Sequence, residues 1–157
     1  MQEAEYLHFA GHGAFNFQSP LLSPLVLAGA KVTVSSPELP AAPDKDRFLP
    51  WRQDTALDLT QCYTLGELFE LNLPYCRLVI LSACETGLTD FSPDLEEYIS
   101  LGLGFLYAGA TNVICSLWRV PDVSTAILMV KLYEEMDNQP SVALALKQAQ
   151  QWMRTVT

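Results

Sequence analysis

The sequence has little with which to hold a metal or a polyanion. It contains two histidines and four cysteines in 157 residues. None of Cys62, Cys76, Cys84 and Cys115 stands in a CxxC pair, so the spacing of zinc ligands is missing. His8 and His12 are four residues apart on a segment that reads as a strand, about 13 Å of extended chain, too far for both to hold one ion directly. No metal and no organic cofactor is expected. Basic residues are also scarce: 9 Lys and Arg against 18 Asp and Glu give a net charge of −9. Without a basic stripe to neutralise phosphates, neither nucleic acid nor an anionic membrane is an expected partner. No apolar run approaches the ~18 residues of a membrane span. The opening MQEAEYLHFAGHG lacks the basic and apolar regions of a signal peptide. The phosphate loop GxxxxGK[ST] and the nucleophile elbow GxSxG are absent as well. With no secretory signal, the expectation is free thiols in a cytoplasmic, reducing compartment.

What is present fits one well-buried domain: 50% of the residues are hydrophobic and 17% charged. Residues 6–10 are apolar and aromatic and read as a strand stopped by Gly11 and Gly13. Residues 25–27 and 31–35 are extended stretches consistent with a hairpin. From Pro37 to about Leu59 the chain is Pro-rich and charged, and reads as a surface excursion. Thr64 and Glu67 have capping-box spacing before a short helix. The run RLVILS, residues 77–82, has the continuous apolar character of a strand buried on both faces. Ser92 and Pro93 suit the start of a helix that becomes apolar toward Tyr107 and stops at Gly109. NVICSL, residues 112–117, is a second buried-type strand. Asp122 is placed to cap a helix reaching about Met136. After Pro140, a last helix aligns Val142, Leu146, Ala149, Met153 and Val156 on one face. Strands alternating with helices imply an α/β layered domain with a mostly parallel sheet flanked by helices.

In such a sheet, sites gather beyond the carboxyl ends of the strands. Two strand ends carry reactive side chains: Gly11-His12-Gly13 after the first strand, and Cys84 after RLVILS. If the two strands are neighbours, His12 and Cys84 open into one crevice, and His12 can serve as base to a thiol nucleophile. The amides of Gly13 and Cys84 could then hold an oxyanion. Cys62, Cys76 and Cys115 read as inert thiols, and His8 as a packed or hydrogen-bonded strand residue.

The stretches HFAGHG, LVILSACETG, GLGFLYAGATNVICSLWRVPD and ALKQAQQWMR, in that order, closely resemble the CHAT family. These are caspase-like domains of the caspase–separase–gingipain group, often attached to tetratricopeptide repeats. The resemblance spans residues 6–154 and implies a caspase-haemoglobinase-like fold and a histidine–cysteine dyad, His12 and Cys84. It further implies membership of clan CD, frequent occurrence in bacteria, especially cyanobacteria, and cleavage of a protein substrate once switched on. Tetratricopeptide-repeat regions of a parent protein are an implied partner. Complete domains of this type have strands and helices ahead of the histidine strand. Residues 1–157 are therefore expected to be the C-terminal part of the full domain, with the histidine strand at an exposed sheet edge. Related peptidases pair a carboxylate with a basic residue before the cleaved bond. That makes Glu85 and Asp122 candidates for substrate binding, with Trp118 a candidate lining residue. For Asp122 the helix-cap reading stays open, and for Trp118 that of a core or sheet-edge aromatic. Three functions remain: a cysteine endopeptidase, a catalytically silent caspase-like scaffold or regulatory interaction domain, and a thiol-dependent acyl transferase or amidase on a small substrate.

Overall fold

The computed structural model describes residues 1–33, 47–52, 55–84, 100–118 and 120–156. They form two compact units, Met1–Trp118 and Arg119–Thr157.

The first unit is organised by one apolar strand. In β7 (Leu78–Cys84) the residues Leu78, Val79, Ile80 and Leu81 are each at most 1% exposed, so both faces are covered, as the unbroken run RLVILS predicts. Burying a side chain of this size contributes roughly 1.5–3 kcal/mol. On one side β7 pairs in parallel with β1 (Tyr6–Gly13), and on the other in parallel with β8 (Val113–Cys115). β2 (Pro24–Val26) lies antiparallel to β1, and β6 (Cys62–Thr64) antiparallel to β2, giving the order β6-β2-β1-β7-β8. All of these strands except β2 run in one direction. The sheet is thus mostly parallel, as the alternation of strands and helices implies.

Two expectations about β1 change. Gly11 and Gly13 do not stop it; the ladder continues through both because β1 is paired to β7 as far as His12 and to β2 at His12 and Gly13. Nor does β1 form an exposed edge, since it has neighbours on both sides.

Helices α1 (Leu65–Phe69) and α2 (Leu101–Tyr107) cover one face of the sheet. Leu65, Leu68, Leu101 and Phe105 pack there with Val79, Leu81 and Ala83 of β7, and Leu7 and Phe9 of β1 lie against them. Those strand residues are spaced by two, so they share a face. α1 starts where its sequence says it should. Thr64 Oγ1 accepts from the Glu67 N–H at 3.3 Å, and a Glu67 carboxylate oxygen accepts from the Thr64 N–H at 2.8 Å, a complete capping box. α2 is capped by Ser100 and ends at Gly109, whose φ of 111° is open to glycine. The helix start expected at Ser92 and Pro93 lies outside the described residues.

Residues 48–52 and 55–58, within the stretch from Pro37 to about Leu59 read from sequence as a surface excursion, contribute two strands of a second sheet. β3 (Lys31–Thr33) and β4 (Phe48–Arg52) flank β5 (Thr55–Asp58) in the order β3-β5-β4, all antiparallel. The expected hairpin between residues 25–27 and 31–35 does not form. The chain turns at Gly29, with φ 85°, and delivers β3 to β5 instead of β2. Ala30, Leu57, Leu59 and Cys62 are buried in a second apolar cluster, with Val26, Leu49 and Trp51 packed against it. This cluster joins β2 and β6 of the first sheet to β4 and β5 of the second.

In the second unit α3 (Asp122–Met136) packs against α4 (Val142–Val156). Ala145 and Ala149 of α4 are buried, with Val142, Leu146 and Met153 half-buried along the same stripe. Val156, expected on that face, is exposed in the last turn. Asp122 does not cap α3: it is the first helical residue, Pro121 occupies the cap position, and no side-chain cap bond forms there.

Candidate active site

His12 and Cys84 are directly paired positions on adjacent parallel strands. The seven consecutive β1–β7 pairs run from Tyr6↔Leu78 to His12↔Cys84, so both residues stand at the carboxyl end of the sheet. Parallel strands lie about 4.8 Å apart. The condition the sequence left open, that the two strands be neighbours, is met by this register. His12 is exposed, while Gly13, next along β1, is buried.

The register is fixed from below by a side-chain bond on the same strands. His8 Nε2 and Ser82 Oγ are 2.8 Å apart. His8 is thus the hydrogen-bonded strand residue its spacing from His12 suggested. It keeps part of its surface in solvent, and burial of the remainder holds its pKa below the ordinary imidazole value. Beyond Gly13 the loop folds back on itself. Asn16 Oδ1 accepts from the Gln18 and Ser19 amides at 3.1 Å, and Ser23 Oγ accepts from the Asn16 amide at 3.0 Å.

Burial acts on each of the other thiols. Cys62 is pushed up to about 11, chiefly by burial, and burial also raises Cys76 and Cys115. Cys62 and Cys76 are buried and Cys115 half-buried, surroundings that disfavour the thiolate.

The residues expected to bind substrate fall in different parts of the chain. Trp118 is 65% exposed, three residues past the carboxyl end of β8. It is not a core aromatic. Asp122 is exposed and belongs to the second unit. Glu85 lies outside the described residues. Among the described residues no group of three or more His, Cys, Asp or Glu side chains could hold a metal ion, and no helix is long and apolar enough to cross a membrane.

One neighbour of His12 was not legible in the sequence. Trp51, on β4 of the second sheet, has its ring centroid 6.2 Å from that of His12, with the planes inclined by 56°. The stretch FLPWRQD carries no signal of this, because the contact joins residues 39 positions apart, on two different sheets.

A mostly parallel sheet with helices on its face, and a histidine and a cysteine at paired strand ends, defines the class of caspase-like domains related to cysteine peptidases. Within that class the chain belongs to the CHAT domain family, which it matches over residues 1–157. It is also 29% identical over 160 residues to the human tetratricopeptide repeat protein 28. That alignment covers 95% of this chain but 6% of the human protein, so the chain spans a small part of the relative it matches.

Proposed function

We propose that this protein is a cysteine endopeptidase that cleaves a specific protein partner through a His12–Cys84 dyad. The observation that supports this reading is the pairing of His12 with Cys84 at the carboxyl ends of β1 and β7. In the proposed mechanism His12 takes the proton of the Cys84 thiol, and the sulfur attacks the carbonyl carbon of the scissile peptide bond. The amides of Gly13 and Cys84 hold the resulting oxyanion. Collapse breaks the C–N bond, His12 protonates the leaving amine, and an acyl-enzyme remains on Cys84. Water activated by His12 then hydrolyses the thioester and frees the thiol.

The same reading has Glu85 or Asp122 favour a basic residue before the cleaved bond, with Trp118 lining the substrate groove. It places the domain in the cytoplasm, within a longer parent protein whose tetratricopeptide repeats present the substrate or switch the enzyme on. The name of the human relative supports the association with tetratricopeptide repeats.

The test is covalent capture. The purified protein is treated with peptidyl acyloxymethyl ketones that differ in the residue before the warhead, and the adduct is located by mass spectrometry. The expected result is selective labelling of Cys84, slowed about 10²- to 10⁴-fold by His12→Ala, as loss of a general base implies. Faster labelling by Lys or Arg peptides would support the acidic pocket. A Cys84 no more reactive than Cys62 or Cys76 would sink the peptidase reading and leave a scaffold.

A further inference from the structure

A catalytic base must be held in one orientation, and β1 fixes only the backbone of His12. Its side chain is exposed, so rotation about χ1 and χ2 is limited only by what touches the ring. Two features of the second sheet bear on this. The β4–β5 ladder runs Pro50↔Ala56 and then Arg52↔Thr55, with a register shift between Pro50 and Arg52. Trp51 falls in that irregularity, and a bulge of this kind re-aims the side chain it carries. Trp51 is also braced. It is half-buried and packs on the cluster of Ala30, Leu57, Leu59 and Cys62, together with Val26, the residue paired to His12 on β2. Its ring therefore reaches His12 from a wall anchored in both sheets, at a centroid distance within the range of interacting aromatic pairs.

We infer that Trp51 is a positioning residue for His12: the bulge on β4 presents the indole as a fixed wall that holds the imidazole in place for Cys84. The inference rests on the reading of His12 as the base and assigns the second sheet a part in the site. Trp51 acts through His12.

The experiment combines the histidine ring resonances with the labelling rate of Cys84. The chain has only two histidines, and His8, on the same strand as His12 and bonded to Ser82 of β7, is the internal reference. In Trp51→Ala the His12 ring-proton resonances should lose the shift imposed by the indole, while those of His8 stay in place. Labelling of Cys84 should slow about two- to tenfold, the range an aromatic contact supports. Trp51→Phe should retain much of the shift and the rate. If Trp51→Ala does not fold, Trp51→Leu against Trp51→Phe makes the same comparison with the volume nearly kept. His12 resonances indifferent to Trp51, His8 resonances moving by as much, or a Phe variant as slow as the Ala or Leu variant would each overturn the positioning role. An inert wild-type Cys84 overturns the peptidase reading; a reactive Cys84 whose rate ignores Trp51 overturns this one.

Discussion

Asp58 shows how a single carboxylate secures the second sheet. It is buried at the end of β5 and accepts from Arg47 at both oxygens, at 3.1 and 2.8 Å, and from the Thr60 amide and hydroxyl. The Arg47 guanidinium, then Thr60, hold its pKa well below the usual carboxylate range. A group depressed in this way stabilises the fold above its unfolded-state pKa, near 4, and that stability is lost as pH falls toward the folded-state value. Asp58→Asn is accordingly expected to lower the urea midpoint at about pH 7, and the gap to wild type should narrow steadily below about pH 4. Parallel urea titrations across that range check the sign; a gap that widens in acid would contradict it. Loss of this anchor should also loosen the cluster on which Trp51 rests.

At the scale of the element, the connections around α1 and α2 depend on a few positions with no tolerance for change. Thr64→Ala removes the hydroxyl that accepts from the Glu67 N–H and donates to its carboxylate, leaving only the Thr64 N–H half of the box, and should cost about 0.5–2 kcal/mol by chemical denaturation. Gly109→Ala combines two penalties. The backbone is held at φ 111°, and an added Cβ would meet the Leu73 carbonyl oxygen at 3.2 Å. A cost of about 1–3 kcal/mol follows for the strained backbone alone. If Gly109→Ala unfolds with an unchanged midpoint, the α2 terminus is not the rigid stop inferred here. The start of α1 and the stop of α2 were legible beforehand. Thr64, Glu67 and Gly109 carry their signals in local backbone chemistry, which a linear sequence displays. The β2–β3 hairpin failed for the opposite reason. Local β-branched character gives a strand but not its partner, and β3 gains more by joining β5 over the Ala30–Leu57 cluster.

For the first unit taken whole, β7 is the axis. Its residues are buried on both faces and it is paired on both edges, to β1 and β8. Regions so enclosed open only in the largest unfolding events. Hydrogen exchange should therefore leave Val79–Leu81 among the last amides to exchange in Met1–Trp118, with β3 and β4, at the edges of the second sheet, exchanging sooner. Protection concentrated in β4 rather than β7 would reverse the order. The pairing that protects β7 also sets the site, since the ladder ends at His12↔Cys84.

The sequence by itself determined the secondary structure wherever the signal was local: the apolar run of β7, the capping box of α1 and the glycine stop of α2. It also determined the family, through motifs distributed in order along the chain. Only the tertiary structure decided which strands are neighbours, that β1 lies inside the sheet rather than at its edge, and that residues read as an excursion build a second sheet. It alone brought Trp51 to His12. The physical reason is that strand pairing and ring contact are settled by burial and register between distant segments. Neither leaves a mark on the residues immediately beside them in the chain.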